Sequence, residues 1–481
     1  MIRPSELPRL ALDQASPLPV YRQLYARIAD AILAGRLTPG TRLPSARSLA
    51  AQLSVARGTV EAAYHQLAGE GYIVARGAAG TLVDPALDRR LLRPGRDARA
   101  TVSAIPDAGS GTEGRQTGAP RLFQLGLPAL DAFPQKVWAR LIARQARALG
   151  PADLAYQPGA GHWALRVQIA RHLAVARGVA CDPTQVLVTT GYQGALGLIA
   201  RTLMRPGDAV FAEHPGYPIG HAALRLAGMR LVGAPVDEEG VDIAAVEARH
   251  RGIRFALVTP THQFPLGLTL SLPRRMALLA WAARAEGWII EDDYDSEFRY
   301  QGRPLPALKS IDRHDRVLFI GTFSKVLSPG LRVGYLVAPA ALAQRFVETA
   351  AALQPPPAAL VQAAIADFVD KGYLARHIRR MRILYAERRA ALVAALRSEL
   401  GSALGIELQA GGMHLLARLP RGRKDVPLVA ALNRQGIAAA ALSNCGVGRP
   451  YAPGLLLGFT NVLARSAPAA ARSLARGLGK T

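Results

Sequence analysis

One stretch restricts this chain more than any other. Val317-Leu318-Phe319-Ile320 is a continuous apolar run that predicts a buried strand, and Val333 to Val337 is a second. Between them stand Gly321, Thr322, Ser324, Lys325 and Arg332, with Pro329-Gly330 breaking the chain. A lysine held at the end of an apolar strand is partly dehydrated, which makes it a nucleophile toward a carbonyl. The hydroxyls of Thr322 and Ser324 and the fork of Arg332 suit one phosphate, which Arg332 can grip bidentately. Lysine plus phosphate clamp is the set that holds pyridoxal phosphate as a Schiff base. Lysine usage sharpens the argument. The chain has Lys136, Lys309, Lys325, Lys371, Lys424 and Lys480, and its other basic side chains are arginines, which form no Schiff base at neutral pH. Lys325 alone has the strand, hydroxyl and arginine context, which argues against an ordinary exposed loop lysine.

A chain of 481 residues predicts two or three domains, and 50% hydrophobic residues allow large cores. No apolar run reaches membrane-spanning length, and the first residues lack the charged-then-apolar order of a secretion signal. A cytoplasmic protein without membrane contact is expected. Two cysteines, Cys181 and Cys445, exclude a disulfide framework and a cysteine-rich metal site. The histidines show no ligand spacing, so no metal is expected. A formal charge of +24 invites a polyanionic partner. Its distribution does not locate that partner: residues 1–84 hold nine arginines against six acids, and most of the excess lies beyond residue 120.

Residues 1–84 form the first predicted domain. Val20, Leu24, Ile28 and Ile32 recur at helical spacing between Pro19 and Ala34, and Gly35 with Thr38-Pro39-Gly40 ends that helix. Ser45 caps a second helix, Ala46 to Leu53. A brief turn at Ser54-Val55 opens a third, Arg57 to Gly69. Two short strands, Gly71 to Val74 and Gly80 to Val83, surround Arg76-Gly77-Ala78-Ala79 as a hairpin. This is the order of a winged helix-turn-helix. Arg57 begins a helix, and arginine reads guanine bidentately. From Pro19 to Tyr72 the sequence resembles the GntR family, through Leu43-Pro44-Ser45, Arg47, Arg57, Thr59-Val60, Ala63-Tyr64 and Glu70-Gly71-Tyr72. The resemblance implies double-stranded operator DNA as partner. It puts Ser45 and Arg47 on phosphate, Arg57 and Thr59 in the major groove, and Arg76 and Gly77 of the wing against the minor groove or backbone. Glu61 stands where other members carry a further basic residue.

Residues 85–120 lose apolar periodicity and are rich in Gly, Ser, Thr and Pro, which predicts a flexible tether. From residue 121 to 481, strand-like runs alternate with helical ones: Val186 to Val188, Ala209 to Phe211, Phe255 to Val258, Trp288 to Ile290 and Val317 to Ile320. The expected class is α/β, with a mostly parallel sheet covered by helices on both faces. Ligand groups then gather at strand C-terminal ends. Thr190-Gly191-Tyr192-Gln193 opens a helix whose amides favour phosphate. Tyr217 offers a ring, His262-Gln263 lie in a polar loop, and Glu291-Asp292-Asp293-Tyr294 follow a core strand.

Here the chain resembles fold-type I pyridoxal-phosphate enzymes of the aminotransferase class, with Thr322 for the first serine of S-x-S-K and then P-G-x-R-x-G. The resemblance implies that Asp292 meets the pyridine nitrogen and Tyr217 stacks on the ring. Tyr294 would hold the phenolic oxygen, with His262 or Gln263 replacing an asparagine whose place Phe264 takes. It also implies that Tyr156 reaches a neighbouring subunit's phosphate, so that the large domain dimerises, and that residues from about 354 onward form a smaller C-terminal subdomain. Such enzymes hold the substrate carboxylate with an arginine late in the chain. The matching stretch, Gly454 to Phe459, has none, and Arg449 and Arg465 are the nearest. Little or no physiological turnover is therefore expected.

Together the two motif sets resemble the MocR/GabR group of bacterial transcription regulators. That implies a regulator that binds pyridoxal phosphate and operator DNA and senses the cofactor, an amine or an amino acid. The alternative is a working aminotransferase with an appended DNA-binding module.

Overall fold

The computed structural model describes residues 12–13, 16, 18–77, 80–87, 119–300, 302 and 306–479. The chain divides into two compact units, residues 1–107 and 108–481. Most of the expected tether, residues 88–118, lies outside the described residues, as do Ala78-Ala79 of the wing and Lys480.

In the first unit, α1 (Val20–Leu33), α2 (Ala46–Leu53) and α3 (Arg57–Gly69) precede the strands β1 (Ile73–Ala75) and β2 (Thr81–Val83). Leu24, Ile28 and Ile32 of α1 meet Leu49 of α2 and Val60, Ala63 and Leu67 of α3 in one core. Burying each such leucine or isoleucine contributes about 1.5–3 kcal/mol. The Ser45 hydroxyl caps α2, accepting from Ser48 N–H at 3.1 Å. Ser54, left-handed at φ 54°, closes it, so α3 can leave at a new angle. The Tyr64 hydroxyl donates to Pro44 O at 2.9 Å and ties α3 to the loop before α2. β1 pairs antiparallel with β2, Ile73 opposite Val83. The first strand begins later than its expected start at Gly71. That glycine, at φ 78°, donates to Ala68 O and ends α3 instead.

The second unit is built on β3 (Val186–Thr189), β4 (Ala209–His214), β5 (Arg230–Asp237), β6 (Gly240–Val241), β7 (Phe255–Val258), β8 (Trp288–Asp293), β9 (Val317–Thr322) and β10 (Gly334–Val337). Among the described residues these form one sheet, in the order β3-β10-β9-β8-β7-β4-β5-β6. The run from β9 to β5 is parallel, as expected. β10 runs against both β9 and β3, so the sheet is mixed. The reason is length: the turn between β9 and β10 is too short for the crossover that parallel strands need. β9 is buried from Val317 to Gly321. Leu318 and Ile320 pack with Leu196 and Ile199 of α4 (Gly191–Leu203). Phe319 packs on the other face with Leu165 and Ile169 of the helix Trp163–Arg177. Coverage on both faces is why the strand sequence is apolar throughout rather than alternating.

β5 and β6 were not legible as strands. β5 lies near the sheet edge with most residues partly exposed, so its apolar pattern is weak. β4 and β8 run further than their apolar cores, which draws Glu213 and Asp292 into strand ends. After the helix α5 (Tyr373–Leu400), β11 (Gly405–Glu407), β12 (His414–Arg418), β13 (Ala440–Ala441) and β14 (Gly454–Gly458) make an antiparallel sheet, order β11-β12-β14-β13. β14 is buried along its whole length. Among the described residues no helix is long and apolar enough to cross a membrane.

Candidate cofactor site and DNA-binding face

Parallel pairing aligns the ends of β8 and β9, with Asp292 opposite Ile320 and Asp293 opposite Gly321. Asp292 therefore stands one strand from the turn that carries Lys325. Lys325 is half-buried, and its Nζ donates to Gly126 O at 2.8 Å. Gly126 is left-handed, φ 76°, a conformation that favours glycine, and a Cβ there would stand 2.7 Å from Nζ and displace the amine.

Thr322, Ser324 and Arg332 come together with the start of α4. Ser324 N–H donates to Thr322 Oγ1 at 3.0 Å, and Arg332 Nη2 donates to Thr190 O at 3.3 Å. Arg332 is left-handed at φ 54°, a conformation that costs a non-glycine residue about 1–3 kcal/mol and recurs at functional sites. The Thr190 hydroxyl accepts from Gln354 Nε2 at 2.9 Å and does not cap the helix. The first amides of α4 have no intrahelical partner and stay available to an anion. The Gln193 side chain is exposed, so only its backbone serves here. The Tyr192 ring turns inward, 5.7 Å from the Tyr217 ring, and Tyr217 meets Phe264 at 5.1 Å.

Asp292 is 6% exposed, and its carboxylate accepts no hydrogen bond from the described residues. Burial raises its pKa well above the usual carboxylate range; Asp293 adds to this and Lys325 opposes it. Neighbouring Asp293 is bound instead: Arg177 Nε donates to it at 2.7 Å, and Arg177 Nη2 donates to Thr261 Oγ1 at 2.7 Å. A buried carboxylate without a donor is costly and suits a ligand bearing a cationic N–H. Tyr192 Oη, His262 Nε2 and Asp295 Oδ2 are also buried without a hydrogen-bond partner among the described residues. Lysine, open helix end, arginine and undonated carboxylate match the aldehyde, phosphate and ring nitrogen of pyridoxal phosphate, which fits these residues.

The two candidates for the missing asparagine separate. Gln263 Nε2 donates to Glu213 Oε2 at 3.1 Å, Pro215 O at 2.8 Å and Phe264 O at 2.6 Å, and its Oε1 accepts from Leu266 N–H at 3.1 Å. That amide is consumed in holding the loop. His262 Nδ1 lies 2.9 Å from Tyr294 Oη and 3.1 Å from Asp295 Oδ1, with Nε2 left over. Spacing did not reveal Glu213. It accepts from Thr259 N–H at 3.0 Å and from the Thr259 hydroxyl at 2.5 Å. Burial pushes it up to about 7. Its position before His214-Pro215 was the available signal. Gly126 had none, being 199 residues from its lysine.

His414 begins β12, with Nε2 3.0 Å from Pro265 O. Burial first, then His262 beside it, pushes its pKa from 6.5 down to about 4. A folded value below the unfolded one gives stability that is complete above pH 6.5 and is lost as pH falls toward 4. His414→Gln removes that share. Its stability deficit against the wild type should therefore shrink by roughly 1–3 kcal/mol between about pH 7 and pH 4. Denaturant midpoints across that range check this, and a deficit independent of pH counts against it.

In the first unit Ser45, Arg47, Arg57, Arg76 and Gly77 are exposed and Thr59 is partly so. Ser45 keeps its own proton for donation while capping α2. Arg57 is not isolated, because its Nε donates to Glu61 Oε1 at 2.7 Å. Tyr156 of the second unit is fully exposed, at 104%.

A winged helix-turn-helix and a fold-type I pyridoxal-phosphate fold in one chain define a regulator with an aminotransferase-like domain. Residues 20–83 match the family model for bacterial regulatory proteins, gntR family, and residues 125–456 match aminotransferase class I and II. The chain is 38% identical over 461 residues to the probable rhizopine catabolism regulatory protein MocR of Rhizobium meliloti, covering 94% of this chain and 92% of that one. It is 35% identical to the pyridoxine biosynthesis transcriptional regulator PdxR of Corynebacterium glutamicum, over 95% of each chain. A kynurenine aminotransferase of Pyrococcus horikoshii, solved with PMP, superposes with TM-score 0.68 at 27% identity, over 75% of this chain and 91% of that one. The chain belongs to the MocR-type transcriptional regulators of the GntR family, and its cofactor is pyridoxal phosphate.

Proposed function

We propose that this protein controls transcription from the cytoplasm as a homodimer, reading operator DNA with residues 1–84 and sensing pyridoxal phosphate, an amine or an amino acid with residues 121–481. The bound cofactor supplies a carbonyl that condenses with amines and a ring that withdraws electrons. Lys325 would carry it. Arg332, Thr322, Ser324 and the Tyr192–Gln193 amides would hold its phosphate, and Tyr217 would stack on the ring. Asp292 would keep the ring nitrogen protonated, and Tyr294 and His262 would hold the phenolic oxygen. A second copy is supported by exposed Leu154 and Tyr156, which shortly precede Gly159 where it packs on Val347 and Ala351, two residues before exposed Leu353. An effector shifts DNA affinity only through its differential affinity for two arrangements of the protein.

One observation carries the regulator over the enzyme. The ring-facing groups are present, yet β14 presents Leu455-Leu456-Leu457 where a carboxylate-binding arginine is expected. Leu456 is sealed among Leu266, Leu416, Leu442 and Cys445, and Arg449 and Arg465 are both exposed. A carboxylate buried there would lose hydration without a replacement donor, and the α-proton would be poorly placed for transfer. Common amino acids and ω-amines should perturb the cofactor's absorption slowly and yield almost no keto acid. A stopped-flow and product assay decides: sustained turnover at roughly 1 per second or faster overturns this reading in favour of an aminotransferase.

A further inference from the structure

The outer face of α3 carries Arg57, Glu61 and His65 at helical spacing, all exposed, while Val60, Ala63, Tyr64 and Leu67 face the core. Glu61 is out of place on such a face. A carboxylate aimed at DNA is repelled by phosphate and lowers the affinity that basic residues provide. Its bond to Arg57 is exposed, with side chains 68% and 48% accessible. A pair of that kind adds too little to helix stability to explain a carboxylate there.

Geometry gives a better reason. The contact engages Nε of Arg57 alone, and neither Nη has a partner among the described residues. The fork that reads O6 and N7 of guanine is therefore free but held in one orientation. Glu61 Oε2 also has no hydrogen-bond partner among the described residues, and a carboxylate oxygen is the acceptor that the N4 amine of cytosine requires. Alanine at 62 and glycine at 58 leave room beside the pair.

We infer that Arg57 and Glu61 form one specificity element: Arg57 reads a guanine, and Glu61 aims it while accepting from a cytosine N4 amine in the adjacent base pair. This rests on α3 being the recognition helix. The ligand it selects is duplex DNA with two consecutive G·C pairs under the N-terminal turns of α3. Because the pair is neutral as a unit, these turns add no net attraction for random sequence, which falls to cations such as Arg47 and Arg76.

The test uses the full chain with its cofactor. The wild type, Glu61→Gln and Arg57→Ala each select from a randomised duplex library. Each is then titrated on the selected site and its single base-pair variants at two salt concentrations. Both side chains are exposed, so neither change threatens the fold. Glu61→Gln should lose roughly tenfold discrimination at the cytosine-bearing pair. It should bind random duplex more tightly, with a salt slope steeper by up to about one, because Arg57 is released toward phosphate. An unchanged motif with unchanged discrimination overturns the inference. So does equal tightening on cognate and altered sites, which would mean that Glu61 only quenches charge. A wild type that enriches no motif, or an Arg57→Ala variant that keeps it whole, overturns the assignment of α3 itself.

Discussion

Lys325→Ala should abolish the covalent attachment of pyridoxal phosphate. Borohydride reduction of the wild type should leave a stable label on the peptide containing Lys325, and the variant should carry none. Its near-visible band should also shift to that of the free aldehyde. Weaker, reversible binding should persist through Arg332 and the amides at the start of α4, because the phosphate grip does not involve the lysine. The fold should survive, since Lys325 is only half-buried and the Gly126 carbonyl that accepts from it borders the site. Other lysines are poor substitutes for physical reasons. The Lys309 side chain is 6% exposed, and its Nζ is committed to Val317 O at 2.8 Å and Asp315 at 3.2 Å. Lys371 sits at the surface near Asp367. A label recovered on either would sink the assignment.

The second large effect concerns DNA. Removing residues 1–84 should eliminate sequence-specific binding while leaving the cofactor's absorption intact, because the two units have separate cores. Within that module, Arg57→Ala should lose about 1–3 kcal/mol on the specific site and relax base preference. Arg47→Ala should weaken all sequences more evenly and flatten the salt slope by about one, since a phosphate contact carries no base information. Titrations against cognate and scrambled duplex at several salt concentrations separate the two behaviours. Operator binding that survived the deletion would make the strongly basic second unit the reader instead.

How far the sequence alone reached can be judged residue by residue. The span of α3, opened by the turn at Ser54-Val55 and closed by Gly69, was legible in the sequence. The strand before Lys325, the turn after it and the acids beyond Ile290 were legible too. All of these are local: periodicity, caps and breakers act over a few residues, so neighbours in the chain encode them. β5 was missed because a strand near the sheet edge with mixed exposure leaves no clean period. The acceptor of Lys325 was invisible, because Gly126 is 199 residues away and only folding brings its carbonyl to the amine. His262 and Gln263 are adjacent and chemically equal to the task on paper. In the tertiary structure they differ: the Gln263 amide is spent on Glu213, Pro215 and Phe264, while His262 Nε2 has no hydrogen-bond partner among the described residues. Likewise Asp292 and Asp293 are indistinguishable as letters. Arg177 pairs with Asp293, while Asp292 stays buried and accepts no hydrogen bond from the described residues. The sequence determined which groups were on hand and on which elements they ride. Which of them are consumed by neighbours and which are left for a ligand was decided only by the fold, because hydrogen-bond partners are assigned by distance in space and not along the chain.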